Sequence, residues 1–342
     1  MDPLFLFGKL EISLQYQGDF MKPELVVDYA CELGENPLWH PGHKRVYWTD
    51  ILRGTIYYFD PMTQQHGIHY QGEIVGGFTI QSDETFLCFM EGGAIGVLQD
   101  GEFDYVTSSI PGEESHRFND VAADPEGRVF CGTMSNTNDQ PGRLYRLDRD
   151  GSLTKVLDNV GVSNGIGFTL DHNYMYYTDT GAQTIYLFDY DQDSGELSNQ
   201  RPFIQIPSEA GAPDGMTVDA EGYIWSARWG GSALYRFTPD GEEDQKIDFP
   251  AKNITSAIFG GTNLTDLYVT TAGGETKANF PILLGCCAAI SAANQPPMEK
   301  PKTFGATRPN SSTALRYQHE KSLIVIIHSS RLVTPNPGWS GI

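Results

Sequence analysis

Residues 216–241 decide the fold class of this chain, and their sequence is MTVDAEGYIWSARWGGSALYRFTPDG. Three short apolar and aromatic runs alternate here with tight-turn sequences, namely Asp219-Ala-Glu-Gly222, Gly230-Gly231 and Pro239-Asp240-Gly241. Apolar runs that are bounded by such turn residues indicate antiparallel hairpins. The stretch therefore predicts consecutive β-strands and no helix.

The same plan recurs along the chain at nearly even intervals. A three-residue anchor that ends on an apolar residue occurs six times, and successive anchors start 41 to 50 residues apart. The anchors are Asn36-Pro-Leu38, Phe78-Thr-Ile80, Asn119-Asp-Val121, Asn164-Gly-Ile166, Asp214-Gly-Met216 and Thr255-Ser-Ala257. Strand-rich repeats of this length are typical of β-propellers. Since no stretch has a long helical period, we predict an all-β fold, a six-bladed β-propeller.

The last repeat departs from this plan, because its pattern ends after residues 272–274. From Lys277 onward the chain carries seven Lys or Arg and only two acidic residues, a net charge of +5, with seven of the twenty prolines. This segment is either a natural extension or the product of an altered reading frame. We predict an N-terminal extension over residues 1–20 and a propeller over 21–276 whose last blade can be incomplete. We predict that residues 277–342 form an atypical basic, proline-rich tail that is disordered. Within this tail, residues 323–327 can supply a strand.

The net charge of the chain limits the kinds of partner that it can bind. A formal net charge of −21 at pH 7 repels nucleic-acid phosphates and anionic membrane surfaces, and it attracts metal cations and neutral ligands. The N-terminal apolar run is too short for a signal peptide. The five cysteines have neither metal-ligand spacing nor a disulfide pattern, which favours free thiols in a reducing compartment. We therefore expect a cytoplasmic monomer that binds a small molecule, with no nucleic-acid or membrane partner.

Four oxygen-bearing residues open separate repeats, and the geometry of a propeller brings the starts of its innermost strands to one mouth of the central channel. They are Glu35, Asn119, Asn164 and Asp214. Two carboxylates and two amides suit a hard divalent cation such as calcium or magnesium. The absence of histidine from the set argues against a zinc site of the usual kind. The alternative is that these residues only cap turns before strands, as Asn and Asp often do.

Five short motifs occur in order over about residues 24–275: Gly34-Glu-Asn-Pro-Leu-Trp39, Arg117-Phe-Asn-Asp120, Gly132-Thr-Met134, Ser163-Asn-Gly165 and Pro213-Asp-Gly-Met216. Together they resemble the senescence marker protein (regucalcin) / gluconolactonase / luciferin-regenerating-enzyme family. The resemblance implies a six-bladed propeller with one divalent metal ion in the channel, and hydrolysis of a lactone ring as the activity. Calcium is the first expectation for this ion, with magnesium, manganese, zinc and iron as alternatives.

The resemblance also implies roles for single residues. Glu35, Asn164 and Asp214 correspond to the metal ligands, and Asp214 also to the general base. Arg117 and Asn119 correspond to substrate-binding residues. The chain departs from some animal members after Gly-Thr-Met, where Ser135 and the residues after it stand in place of an acidic side chain. The identity of a sugar substrate is therefore open.

These residue types support a specific chemistry. A divalent ion polarises a lactone carbonyl, and a carboxylate beside it can accept a proton from the attacking water. No stretch has a helical period, so the strand-to-helix nucleophile elbow of a covalent serine mechanism has no support. We expect a metal-dependent hydrolase of a small lactone, similar to a gluconolactone. The alternative is a non-catalytic calcium- or ligand-binding propeller, which would need neither a base nor a substrate-orienting arginine.

Overall fold

The computed structural model describes residues 23–137, 139–273, 288–290 and 325–328. Twenty-five β-strands lie in this part of the chain, with two single-turn 3₁₀ helices at Ile51–Arg53 and Ser208–Ala210.

Five sheets each contain four antiparallel strands in chain order. Sheet 1 contains β2 (Gly34–His40), β3 (Arg45–Asp50), β4 (Thr55–Asp60) and β5 (Gln65–Gln71). Sheet 2 contains β6 (Val75–Ile80), β7 (Phe86–Met90), β8 (Ile95–Gln99) and β9 (Glu102–Thr107). Sheet 3 contains β10 (His116–Ala123), β11 (Val129–Ser135), β12 (Gly142–Leu147) and β13 (Leu153–Val160). Sheet 4 contains β14 (Ser163–Phe168), β15 (Tyr174–Asp179), β16 (Thr184–Tyr190) and β17 (Leu197–Gln205). Sheet 5 contains β18 (Ala212–Val218), β19 (Ile224–Trp229), β20 (Ala233–Phe237) and β21 (Glu243–Asp248).

The turns form at the positions that the sequence predicted. In sheet 5, Asp219 accepts hydrogen bonds from the backbone N–H groups of Glu221 and Tyr223, both at 3.0 Å, and Gly222 adopts φ +80°. Asp side chains favour such turns because they satisfy backbone donors locally, and glycine adopts a positive φ without a steric penalty. Short-range signals of this kind account for the correct placement of the hairpins.

The first strands of successive sheets surround a common axis. Each of β2, β6, β10, β14, β18 and β22 (Asn253–Gly260) contacts the next, and β22 also contacts β2. The hydroxyl of Thr255 closes this ring by donating a hydrogen bond to the carbonyl oxygen of Gly34 at 2.6 Å. Six apolar clusters fill the spaces between neighbouring sheets. The prediction of an all-β propeller is thus confirmed.

The sixth sheet does not follow the plan of the other five. It contains β22, β23 (Asp266–Ala272) and three short strands: β1 (Pro23–Leu25), β24 (Ala288–Ile290) and β25 (Val325–His328). The structure therefore has five regular blades instead of the six expected, because the repeat pattern ends after β23. The strand at β25 overlaps the segment 323–327. The rest of the tail and the predicted extension over residues 1–20 lie outside the described residues.

Each innermost strand pair contains a shift in register near the channel. In the first, third, fourth and fifth sheets the shifts fall between Glu35 and Leu38, Phe118 and Val121, Asn164 and Ile166, and Pro213 and Met216. Such bulges redirect side chains and are common at functional sites. They coincide with the anchors that the sequence identified, so the residues of the anchors turn toward the axis.

Candidate active site

The predicted site residues lie together at one mouth of the channel. Glu35, Asn119, Asn164 and Asp214 are each 3 to 4% exposed, and each belongs to the first strand of a different sheet. Glycines allow these strands to approach closely. A Cβ atom at Gly165 would lie 2.8 Å from the carbonyl oxygen of Asp214, so a larger residue would separate the fourth and fifth sheets.

Two of these side chains form a buried, mutually repelling pair. Burial raises the pKa of the Glu35 carboxyl well above its usual range, and the negative charge of Asp214 raises it further. Burial likewise raises the pKa of Asp214. The positive charge of Arg117 lowers both pKa values, but by less than burial raises them. The negative charges of this site therefore outweigh its one positive charge when the carboxylates are ionised.

Asn164 is held by its amide nitrogen. Its Nδ2 atom donates to the hydroxyl of Thr180 at 3.1 Å, and the amide also contacts the Asp214 carboxylate and lowers the pKa of that group. Its Oδ1 atom is buried and has no hydrogen-bond partner among the described residues. Because a buried acceptor without a partner is unfavourable, this oxygen is suited to binding something that the protein does not supply.

Arg117 and Asn119 form a second unit beside the carboxylates. Arg117 is buried and donates through Nη1 to the carbonyl oxygen of Phe118 at 2.9 Å and to Asn119 Oδ1 at 2.6 Å. Asn119 Nδ2 donates to the carbonyl oxygen of Ser163 at 2.9 Å, the residue before Asn164. Asn119 therefore links two sheets and fixes the arginine.

Asp120 is a third carboxylate that sequence reasoning did not assign to the site. It is buried, its pKa is raised to about 7 by burial, and its charge raises the pKa of Glu35 and of Asp214. Adjacent residues of a regular strand face opposite sides, so a strand that directs Asn119 toward the channel would direct Asp120 away from it. The bulge between Phe118 and Val121 removes that alternation. The only available signal was the acidic residue next to Asn119 in one motif.

Below the carboxylates the channel continues as a cavity of about 210 Å³. Its lining is mostly apolar and includes Leu38, Phe78, Val121, Ile166 and Met216, with Asp120 at its polar side. Asp124 and Asp219 also line this cavity, and they form ion pairs with Arg128 and Arg236. Glu35, Arg117 and Asp214 lie at the mouth above it.

The site fits a divalent cation by its charge and its donor atoms. Three buried carboxylates and one guanidinium would carry a net charge of −2 when ionised, and the unpartnered Asn164 oxygen adds a neutral ligand. All these atoms are oxygens of the kind that hard cations prefer. Within the described residues there is no group of three or more His, Cys, Asp or Glu side chains arranged to hold a metal. A cation here would therefore depend on the amide as well as on the carboxylates.

The chain is similar in sequence to known proteins over most of its length. The family model described as the SMP-30/gluconolactonase/LRE-like region matches residues 33–273. The pentonolactonase XacC of Haloferax volcanii is 47% identical over 250 residues, which cover 73% of this chain and 85% of that protein. Regucalcin of Danio rerio is 34% identical over 262 residues, covering 74% and 87% of the two chains.

A solved luciferin-regenerating enzyme has a similar fold. It superposes with a TM-score of 0.72 at 23% identity, and the match covers 92% of this chain and 99% of that one. This likeness supports the propeller. Among the described residues no helix is long and apolar enough to cross a membrane.

Proposed function

Because the chain belongs to the SMP-30/gluconolactonase/LRE-like family, we propose that it is a lactonase that hydrolyses a small lactone of the aldonolactone type. The name of its relative XacC, a pentonolactonase, supports this class of substrate. The observation that carries the proposal is the meeting of buried Glu35 and Asp214 with the unpartnered oxygen of Asn164, beside Arg117.

We further propose that Glu35, Asn164 and Asp214 hold one divalent metal ion, calcium in the first place and magnesium, manganese, zinc or iron as alternatives. Oxygen ligands of mixed charge and amide type favour calcium. When bound, such an ion polarises the lactone carbonyl and stabilises the negative charge that develops on its oxygen. Its positive charge would also offset the repulsion that raises the pKa values of Glu35 and Asp214.

The side chains divide the remaining work. Asp214 accepts a proton from the water that attacks the carbonyl carbon. The ring C–O bond then breaks, and the proton held by Asp214 passes to the leaving ring oxygen to give the hydroxy acid. Arg117, fixed by Asn119, offers N–H donors to the substrate's oxygens and holds the ring in place. Asn119 also faces the substrate in this scheme. Burial of the whole cluster limits access of bulk water and strengthens each of these interactions.

The remaining properties of the molecule are proposals of the same kind. We propose that the propeller covers 21–276, with residues 1–20 as an extension and 277–342 as a tail, and that the sixth sheet acts as the sixth blade with two short strands from that tail. Pairing of β1 with β24 and β25 supports closure by both ends of the chain. A small neutral lactone suits a chain of net charge −21, and we expect a cytoplasmic monomer that binds neither nucleic acid nor membrane.

The experiment that tests this function is lactone hydrolysis by the full chain. The protein is stripped with a chelator and assayed on a pentonolactone and on gluconolactone, with calcium, magnesium, manganese, zinc or iron(II) added separately. We expect one ion to restore turnover, and the variant D214A to lose it while remaining folded by circular dichroism.

The matched control replaces an aspartate that is far from the mouth. Asp104 is exposed on the outer strand β9, so D104A should retain full activity. Activity in D214A equal to that of wild type would refute the assignment of the base. Binding of a metal by folded protein without turnover on either lactone would instead favour the non-catalytic binding module.

A further inference from the structure

The hydroxyl of Thr180 lies between two segments that carry proposed metal ligands. It accepts a hydrogen bond from Asn164 Nδ2 at 3.1 Å and donates one to the carbonyl oxygen of Pro213 at 2.7 Å. Asn164 belongs to the fourth sheet, and Pro213 directly precedes Asp214 in the fifth. A single hydroxyl therefore joins the two sheets at the mouth of the channel.

The proton count of this hydroxyl determines how the Asn164 amide is oriented. A threonine hydroxyl carries one proton, and Thr180 uses it on Pro213, so it can only accept from Asn164. Asn164 must therefore direct its nitrogen, and not its oxygen, toward Thr180. The opposite orientation would place two acceptors against each other and leave the amide unpaired.

The orientation of the amide leaves its oxygen available. The nitrogen side of the Asn164 amide faces Thr180, and the amide also lowers the pKa of the Asp214 carboxyl. The Asn164 Oδ1 atom is then buried with no partner among the residues that the structure describes. This is the atom through which an asparagine binds a hard cation.

The position of Thr180 is itself fixed by the backbone around it. Its N–H group donates to the carbonyl oxygen of Val162 at 3.1 Å, and its own carbonyl accepts from the N–H group of Gln183 at 3.1 Å. The neighbouring Asp179 accepts hydrogen bonds from the N–H groups of Val162 and Ala182. The hydroxyl is thus held on both sides and can impose an orientation on Asn164.

We propose that Thr180 is a positioning residue, which turns the Asn164 oxygen toward a bound divalent cation and fixes the strand that carries Asp214. This inference rests on the proposed function, because the cation belongs to the site described there. Outer partners that orient a metal ligand typically contribute 10- to 100-fold to metal affinity. Thr180 acts through Asn164 and Asp214 and not by contact with the substrate.

The test compares calcium affinity in variants that keep or remove the hydroxyl. The full chain is treated with chelator and titrated with calcium chloride by isothermal titration calorimetry. T180V keeps the shape of the side chain without the hydroxyl, and we expect its calcium dissociation constant to rise by about 10- to 100-fold. T180S keeps the hydroxyl and should bind calcium as wild type does.

Thr178, in β15 two residues before Thr180, offers a matched control. It pairs in register with Asn164, and its buried hydroxyl has no hydrogen-bond partner in the described part of the chain. T178V should therefore leave the calcium affinity unchanged. Thermal unfolding of every variant without metal separates a general loss of stability from a loss of metal affinity. If T180V does not fold, T180A replaces it in the comparison.

Wild-type affinity in folded T180V or T180A would overturn the role of Thr180, and so would an equal loss of affinity in T180S. The failure of the proposed lactonase activity has a different signature, which is metal binding without turnover in wild-type protein. The failure of the proposed metal site is distinct again. In that case wild-type protein itself binds none of calcium, magnesium, manganese, zinc and iron(II), and the inference about Thr180 fails together with the metal site.

Discussion

Replacement of Asp120 by asparagine should stabilise the metal-free protein above neutral pH. Asp120 is 8% exposed, and burial raises its pKa from 3.8 to about 7. Its charge also raises the pKa of Glu35 and of Asp214. Asparagine has nearly the same shape but no charge, so D120N removes the repulsion without opening a cavity.

The magnitude follows from the two pKa values of Asp120. In the unfolded chain this group loses its proton near pH 4, and in the folded chain near pH 7. Between these values the folded state binds more protons than the unfolded state, so the free energy of unfolding falls as the pH rises. About three pH units at roughly 1.4 kcal/mol each give a loss of about 4 kcal/mol, complete above pH 7. D120N should avoid this loss at pH 8 and gain little at pH 4.

Guanidinium unfolding in the presence of EDTA measures this difference at the two pH values. D104N, which changes an exposed aspartate on β9, is the control and should match wild type at both. No gain in D120N at pH 8, or an equal gain at pH 4 and pH 8, would refute the electrostatic reasoning.

Three other changes test separate parts of the site. R117K keeps the charge but loses the planar set of donors, so kcat/KM for the lactone should fall by about 100-fold. An unchanged kcat/KM in steady-state kinetics would exclude a positioning role for Arg117. N36A and N36G both remove a hydrogen bond of 2.6 Å between the first two sheets, and Asn36 has φ +45°. The free energy of unfolding of N36A should therefore be about 1 kcal/mol lower than that of N36G. Equal free energies in urea titrations would contradict this. G165A places a Cβ atom 2.8 Å from the Asp214 carbonyl oxygen, whereas in G167A the nearest atom is a side-chain methyl at 3.0 Å. G165A should lower the free energy of unfolding by about 1–3 kcal/mol and remove much of the activity. G167A should have a smaller effect on both quantities. A larger loss of thermal stability in G167A than in G165A would refute the close-packing argument.

The sequence predicted the parts of this protein that depend on short-range patterns. The Asp219 turn and the spacing of the repeats gave the hairpins and the propeller, because a turn residue satisfies backbone groups only a few positions away. The pattern also selected Glu35, Asn164 and Asp214, since each opens a repeat. It did not reveal Asp120, because strict alternation along a strand places its side chain away from that of Asn119.

Tertiary structure alone decided how these residues meet. A bulge between Phe118 and Val121 brings Asp120 into the channel, and the Thr180 hydroxyl, just after β15 in the sheet of Asn164, links that amide to the backbone of the fifth sheet. The bond from Thr255 that closes the ring joins residues 221 positions apart. Such contacts depend on how whole sheets pack, and no local pattern encodes them. The sequence by itself therefore determined the repeating strands and most of the oxygen-bearing side chains of the site, whereas packing of the sheets determined the orientation of each side chain, the third carboxylate and the irregular sixth sheet.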